Sequence, residues 1–246
     1  MTSPLPAIDP VEILARYRRD GVAVLHGFFD RSYSAEISEG WNDLKKEVEL
    51  GGLGRNARFL YGKLPGRVGE IWRHPRLAEL ARSTLGPDVA LYMNRLLLKD
   101  KEWSGAVAIH QDMPYFHGGQ NKLSVFVPLQ PVQATGGNGG LRFIVGSHLY
   151  GNLERGTIQL DRFEPMPELA PSLDVGDIVL MSMMTWHYSD DAPSKDDRPL
   201  LQLMYQPADD GSFAGPKMGV PEPTLLCGGW KTRHFTECRQ CTIPDQ

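Results

Sequence analysis

Ala90-Leu-Tyr-Met-Asn-Arg-Leu-Leu-Leu98 is the first of a series of short β-type runs in this chain. Ala106-Val-Ala-Ile109, Lys122-Leu-Ser-Val-Phe-Val127, Leu141-Arg-Phe-Ile-Val145, Asp177-Ile-Val-Leu-Met181 and Leu200-Leu-Gln-Leu-Met204 follow it. Turn signals separate them, at Gly118-Gly119, Thr135-Gly-Gly-Asn-Gly-Gly140 and Asp174-Val-Gly-Asp177. Short strands at this spacing predict a β-sandwich or a barrel closed on itself.

Outward from this core, the first part of the chain reads as helical. Val11, Ile13, Leu14 and Tyr17 recur at helical spacing and Gly21 ends the pattern, so the sequence predicts a helix over residues 10–19. Val22-Ala-Val-Leu25 reads as a short strand. Asp30 or Ser32 can cap a helix reaching about residue 49, with Ile37, Trp41, Leu44 and Val48 as its inner stripe. Gly51, Gly52 and Gly54 mark a turn, and a further helix is expected over 76–85, stopped by Gly86-Pro87. Without an internal repeat or low-complexity linker, the 246 residues are expected to form one domain. It would comprise a helical part to about residue 88, a β core over about 89–206 and an extension over 207–246.

Composition sets limits on function. A net charge of −4 and a pI near 6.0 offer no electrostatic reason to expect nucleic acid or an anionic membrane as partner. No apolar run approaches the roughly 20 residues that span a bilayer, and Met1-Thr-Ser-Pro-Leu-Pro6 lacks the pattern of a signal peptide. Three cysteines cannot all pair. A cytoplasmic protein acting on a small molecule is the expectation.

The chemistry is carried by His110-Gln-Asp112, which directly follows a strand. Residues two apart in an extended chain point to one side, so His110 and Asp112 can present an imidazole nitrogen and a carboxylate oxygen to one ion. His187 is expected to end another apolar strand. Two histidines and one carboxylate leave coordination positions open, which is the facial triad of iron(II) oxygenases. An isolated HxD is weak evidence, and His26, His74, His117, His148 and His234 read more simply as hydrogen-bonded or exposed residues. Arg198 strengthens the case, because it enters the apolar strand Arg198-Pro-Leu-Leu-Gln-Leu-Met204. A guanidinium there is expensive to bury unless it is paired, and its planar fork matches a carboxylate ligand.

Taken together, Leu97-Leu-Lys99, His110-Gln-Asp112 with Tyr115-Phe116, Gly137-Asn-Gly139, Val145-Gly-Ser-His148, Gly176-Asp177, His187-Tyr-Ser189 and Arg198 resemble the phytanoyl-CoA hydroxylase-like family of iron(II)/2-oxoglutarate oxygenases. Arg19-Asp-Gly21-Val-Ala-Val-Leu25-His-Gly-Phe-Phe29 resembles its opening helix and strand. The resemblance implies a mainly β fold with flanking helices around a double-stranded β-helix (jelly-roll, cupin-like) core. It implies that His110, Asp112 and His187 bind Fe(II). Arg198 with Ser189 would bind the distal carboxylate of 2-oxoglutarate, and Arg95 would contact the co-substrate. Gln111 either faces the co-substrate or supports the turn. The implied reaction consumes O2 and 2-oxoglutarate, gives succinate and CO2, and hydroxylates or oxidatively cyclises an unactivated C–H position. Halogenating relatives replace the carboxylate ligand by Gly or Ala, so Asp112 argues against halogenation.

Residues near the triad in sequence, namely Tyr92, Asn94, Met113, Tyr115, Phe116, His117 and Trp186, are candidates for the substrate pocket. Their mix of aromatic and polar groups suits a medium-sized polar molecule, such as a sugar-containing antibiotic intermediate, and orthoester formation falls within this chemistry. No basic cluster suited to coenzyme A phosphates is present. Ser104-Gly105 and residues 150–172 are candidate mobile loops. Cys227, His234, Cys238 and Cys241 can form a structural zinc site or a redox pair at Cys238–Cys241, and free thiols are the simpler reading. Two other readings stay open: a cupin-type metalloenzyme that does not use 2-oxoglutarate, and a family member that binds a small molecule without turnover.

Overall fold

The helices form where their end signals place them. A computed structural model of the chain describes residues 9–47, 51–53, 57–61, 64–134, 137–193, 196–213, 224–229 and 236–237. Asp9 accepts from the N–H of Val11 at 2.9 Å, Pro10 takes the first position of helix α1 (Pro10–Asp20), and Gly21 at φ 75° closes it. After strand β1 (Val22–Leu25), Asp30 is the residue that caps α2 (Arg31–Glu47), accepting from the N–H of Tyr33 at 2.8 Å. Ile37, Trp41 and Leu44 are its buried stripe, while Val48 lies outside the described residues. A short helix α3 (Gly66–Glu70) runs into a 3-10 turn (Ile71–Arg73), and α4 (Pro75–Leu85) follows with His74 as its cap.

Gly51 and Gly52, expected in a turn, instead lie in strand β2 (Gly51–Leu53), which pairs with β3 (Ala57–Tyr61), and Gly54 lies outside the described residues. Glycines carry no side-chain pattern to announce a strand; backbone pairing to β4 (Val89–Lys99) recruits β3, with Phe59 opposite Leu97. The remaining strands are β5 (Val107–His110), β6 (Leu123–Pro128), β7 (Leu141–Ile144), β8 (Glu168–Leu169), β9 (Ile178–Ser182), β10 (His187–Ser189), β11 (Arg198–Pro207), β12 (Ser212–Phe213), β13 (Thr224–Cys227) and β14 (Thr236–Glu237). The larger sheet has the order β1-β9-β6-β11-β4-β3-β2, with β13 also on β4, and the smaller has β5-β10-β7-β8. Both are antiparallel, and face to face they form the expected double-stranded β-helix.

Alternation along the strands divides the core in two. Leu96, Leu98, Leu201, Leu203, Leu123, Val125 and Leu180 pack with Trp41, Leu77 and Leu80 beneath the helices. Leu97, Leu200, Phe126, Val179 and Met181 face the other way, toward Leu141 and Phe143 of the smaller sheet. Even-numbered β11 residues up to Met204 therefore point between the sheets. At β4 the register slips so that Met93 faces Met204 while Leu91 faces Tyr205, and Tyr92 is the extra residue of a bulge.

His187 does not end the apolar strand, as the sequence suggested. β9 stops at Ser182, a turn closes through Thr185 N–H to Ser182 O at 2.9 Å, and His187 opens a strand of the other sheet. Met183 and Met184 continue the apolar run through that corner, so hydropathy cannot reveal it. The corner is tied to α1: Gly21 O accepts from Ser182 N–H at 2.8 Å and from Thr185 Oγ1 at 2.7 Å. A β-carbon on Gly21 would stand 2.5 Å from Thr185 Oγ1 and 2.4 Å from His148 Nδ1, in a left-handed backbone besides. Gly21→Ala is therefore expected to destabilise the fold by about 2 kcal/mol or more, lowering Tm by roughly 4–8 °C in a thermal melt. A Tm within a degree of the parent would mean that the corner does not depend on this contact.

Candidate metal centre

β5 ends on His110, the chain leaves the sheet at Gln111, and a 3-10 turn (Met113–Tyr115) begins beyond Asp112. β10 runs antiparallel beside β5, with His187 opposite His110 on one side and Phe143 on the other. The two imidazole rings lie 4.3 Å apart, centroid to centroid. Asp112 Oδ1 is 3.9 Å from His110 Nε2, and Asp112 Oδ2 is 3.9 Å from His187 Nε2. One donor atom from each of the three residues lies within 4.8 Å of the other two, a separation that one ion can bridge.

Backbone carbonyls select the tautomers. His110 Nδ1 is 2.7 Å from Ala108 O and His187 Nδ1 is 3.0 Å from Thr185 O. A carbonyl only accepts, so each Nδ1 carries a proton, and Nε2 is the ring nitrogen turned toward the cluster as the ligand atom. Burial pushes the pKa of His187 down to about 4, aided by the neighbouring His110, which keeps the ring neutral and able to ligate. Burial disfavours the Asp112 charge. His187, Arg95 and His110 together with the Gln202 hydrogen bond outweigh that and hold the carboxyl below its ordinary value. The donor set is thus two imidazoles, that of His187 held neutral by its burial, and one carboxylate, ligand types that suit a divalent iron.

Arg198 opens β11 and is 3% exposed, opposite Lys99 of β4. Burial pushes its pKa down to about 10, and among the described residues no ion pair offsets that burial. Its Nε and the Oγ of buried Ser189 have no hydrogen-bond partner among the described residues. Ser189 lies two residues beyond His187 on the same strand, hence on the same face. Lys99 is fully buried too, and its ammonium donates to Gly105 O at 2.8 Å and to Asp190 O. Burial, with Arg198 nearby, pushes the Lys99 pKa down to about 7. Two buried cations side by side, with Arg198 Nε unpartnered among the described residues, make a place that an anionic ligand would complete.

The other expected site residues divide sharply. Gln111 is wholly engaged with backbone: Nε2 donates to Gly151 O and Met184 O, both at 2.7 Å, and Oε1 accepts from Leu153 N–H at 2.8 Å. Its side chain supports the turn and has no donor left over for a co-substrate. Arg95 donates through Nε to Gln202 Oε1 at 2.6 Å and brings Nη2 to 3.7 Å from Asp112 Oδ1. Tyr115, Phe116 and His117 are half-buried along the loop after the triad, with Tyr115 edge-on to His110 and under the guanidinium of Arg155.

Of the remaining substrate candidates, Asn94 and Trp186 face away from the triad, while Met113 and Tyr92 are buried beside it. Asn94 points to the helix layer, donating to Gly69 O at 3.5 Å, because strand alternation sends it opposite to Arg95. Trp186 is fully buried against Tyr150 and Phe163, where it holds down the loop following β7. Met113 joins a buried cluster with Met93, Met183 and Met204. Tyr92, also in that cluster, is fully buried, and its hydroxyl accepts from His117 N–H at 3.1 Å.

Both expected loops are tied down at several points, Ser104 O accepting from Ala192 N–H and Ile158 N–H donating to Ile109 O. Of the tail's zinc or redox set, Cys227 is half-buried against the core, and His234, Cys238 and Cys241 lie outside the described residues. Sequence reasoning missed Gln202, Ser124 and Arg155. Gln202 had a signal, because it shares the two-residue period of Arg198, Leu200 and Met204. Arg155, in an irregular loop, had none.

The model of the family "Phytanoyl-CoA dioxygenase (PhyH)" matches residues 17–200, well over half of the chain. No curated protein matches the sequence. Among solved structures, the epimerase SnoN from nogalamycin biosynthesis, in complex with Fe3+, alpha ketoglutarate and nogalamycin RO, is 25% identical with a TM-score of 0.72. That match covers 88% of this chain and 98% of SnoN. The carbocyclase SnoK from the same biosynthesis is 18% identical with a TM-score of 0.72, covering 87% and 95% of the two chains. EctD from S. alaskensis, with 2-oxoglutarate and 5-hydroxyectoine, is 22% identical with a TM-score of 0.71, covering 96% and 90%. The last two likenesses speak to the fold alone. The extent of the family match, on a jelly-roll that gathers two histidines and an aspartate at one point, means that this chain belongs to the phytanoyl-CoA dioxygenase (PhyH) family.

Proposed function

We propose that this iron(II)- and 2-oxoglutarate-dependent dioxygenase hydroxylates or oxidatively cyclises an unactivated C–H position of a small, sugar-containing natural product. The observation that carries the reading is the pairing of a His–Asp–His cluster with a buried arginine whose Nε has no partner among the described residues. In this reading His110 Nε2, the Asp112 carboxylate and His187 Nε2 hold the iron. Arg198 and Ser189 donate to the distal carboxylate of 2-oxoglutarate, and Lys99 adds positive charge behind it. When bound, iron and co-substrate supply the oxidising power of O2 at the target C–H bond, with succinate and CO2 as by-products.

The chain's own task is placement and exclusion of water. Phe126 and Phe143, each with its ring 6.4 Å from that of His187, line the floor with apolar surface. Lys122 donates to Gln206 Oε1 at 2.8 Å and Asp210 Oδ2 at 2.9 Å, which anchors the end of the loop carrying Tyr115, Phe116 and His117. That loop and Arg155 offer a rim of aromatic faces, an imidazole and a guanidinium, groups that suit the hydroxyls and faces of a sugar better than an acyl chain. The carboxylate of Asp112 disfavours halogenation, because it fills the position a halide would need.

Anaerobic titration of the iron(II)-loaded protein with 2-oxoglutarate is expected to give a visible metal-to-ligand charge-transfer band. His187→Ala should lose the band. Arg198→Ala should need on the order of 100-fold more 2-oxoglutarate, the effect of leaving one side of a buried charge pair unmatched. A folded, iron-loaded protein without the band, or an Arg198→Ala variant indistinguishable from the parent, favours a metalloenzyme that does not use 2-oxoglutarate.

Succinate release measured against a panel of compounds checks the substrate class. Sugar-bearing natural products are expected to stimulate it, with a product heavier by one oxygen on hydroxylation or lighter by two hydrogens on cyclisation. Stimulation by acyl-CoA thioesters alone would remove the sugar assignment, and binding without succinate release would favour the non-catalytic reading.

A further inference from the structure

Gln202 lies at the centre of β11, fully buried, on the face turned toward the smaller sheet. Each end of its amide is in use. Oε1 accepts from Arg95 Nε at 2.6 Å, while Nε2 donates to Asp112 Oδ2 at 2.8 Å and to Ser124 Oγ at 2.7 Å. We infer that Gln202 is a positioning residue for the metal site: oriented by Arg95, it holds the Asp112 carboxylate in the attitude needed to ligate. The inference rests on the reading above that the triad holds iron(II).

The argument follows from donor and acceptor inventory. A guanidinium can only donate, so the end of the Gln202 amide beside Arg95 must be the oxygen. The NH2 end then necessarily faces Asp112, and the carboxylate receives a donor instead of a repelling carbonyl. Arg95 is held for this task by its surroundings. Its guanidinium carbon lies 5.7 Å from the ring centroid of Phe59 and 5.8 Å from that of Phe116. At 3.7 Å its Nη2 is too far from Asp112 Oδ1 for a hydrogen bond and acts on it through charge. Arg95 was expected to contact the co-substrate; its contacts in the structure are with Gln202 and the Asp112 carboxylate.

Topology makes this relay necessary. His110 and His187 both belong to the smaller sheet, on neighbouring strands that fix each other. Asp112 lies past the end of β5, in a turn, and among the described residues no hydrogen bond from the smaller sheet holds its carboxylate. Gln202 ties it to three strands of the larger sheet, β11 directly, β6 through Ser124 and β4 through Arg95. The distance between the sheets is thereby coupled to the geometry of the third ligand. Groups that orient a ligand in this way typically change metal affinity by about 10- to 100-fold when removed.

The test is anaerobic equilibrium dialysis of the full-length protein against iron(II), with a thermal melt of each variant. Gln202→Met keeps the side-chain length and loses both polar ends; its iron dissociation constant is expected to rise about 10- to 100-fold. Arg95→Met, which frees the amide to turn, should weaken binding less. The double variant should bind no worse than Gln202→Met, because both changes break one relay.

A folded Gln202→Met that binds iron(II) within about twofold of the parent, or losses that multiply in the double variant, would overturn the inference. If Gln202→Met fails to fold, Arg95 decides. Arg95→Lys keeps a donor for Oε1 and should bind iron more tightly than Arg95→Met, and equal binding by the two counts against the relay. A merely structural arginine would show no such rescue. His187→Ala separates the two levels: if it binds iron as tightly as the parent, the triad itself is not the site. If it loses iron while Gln202→Met does not, only the relay fails.

Discussion

The antiparallel register that sets His187 of β10 opposite His110 of β5 is the constraint on which the rest of the molecule depends. Side chains in a strand alternate faces, so a slip of one residue would turn His187 away from His110 and bring Tyr188 to the cluster. Much of the surrounding structure serves that register. The corner over 183–186 delivers the chain from one sheet to the other, Gly21 and Thr185 hold the corner, and Trp186 is packed beneath the loop after β7. The two carbonyls that accept from the histidine Nδ1 atoms are also strand or corner backbone, so the fold that aligns the rings also turns each Nε2 toward the cluster.

A second theme is the charge placed between the sheets. Asp112, Arg95, Arg198 and Lys99 all project into an interior lined by Phe126, Phe143 and Leu200. Asp112 is matched, through Arg95 at short range and Gln202 by hydrogen bond. Arg198 is not matched among the described residues, and Lys99 relies on backbone carbonyls. Burying a guanidinium without a counter-charge works against folding. A site built this way gains from a carboxylate ligand twice over, through the direct contacts and through relief of that burial. Under the proposed function, stability and co-substrate affinity are accordingly linked.

Several sequence motifs proved to be architectural. Asp177 of Gly176-Asp177 accepts from Gly27 N–H and Asp174 N–H, closing a turn against β1. Asn138 of Gly137-Asn138-Gly139 spans its own loop, from Gln133 N–H to Pro131 O. Ser147 and His148 tie the turn after β7 to Trp186 and to Arg18 of α1. Their role is to hold the strand ends that carry the ligands, which explains why residues far from the triad belong to the same pattern.

The helices, most of the strands and the triad were legible because each depends on local signals: caps, alternation, an HxD after a strand, a charged residue entering an apolar run. Arg198 was legible for the same reason. What the sequence by itself determined is therefore the jelly-roll class, the residue types that gather in the His–Asp–His cluster and the arginine that enters an apolar strand. The tertiary structure alone decided that His187 opens a strand, that Asn94 and Trp186 face away from the site, and that Gln202 and Arg95 stand behind Asp112. The physical reason is that these placements follow from strand register, a bulge and hydrogen bonds between residues about a hundred positions apart, which no local pattern encodes.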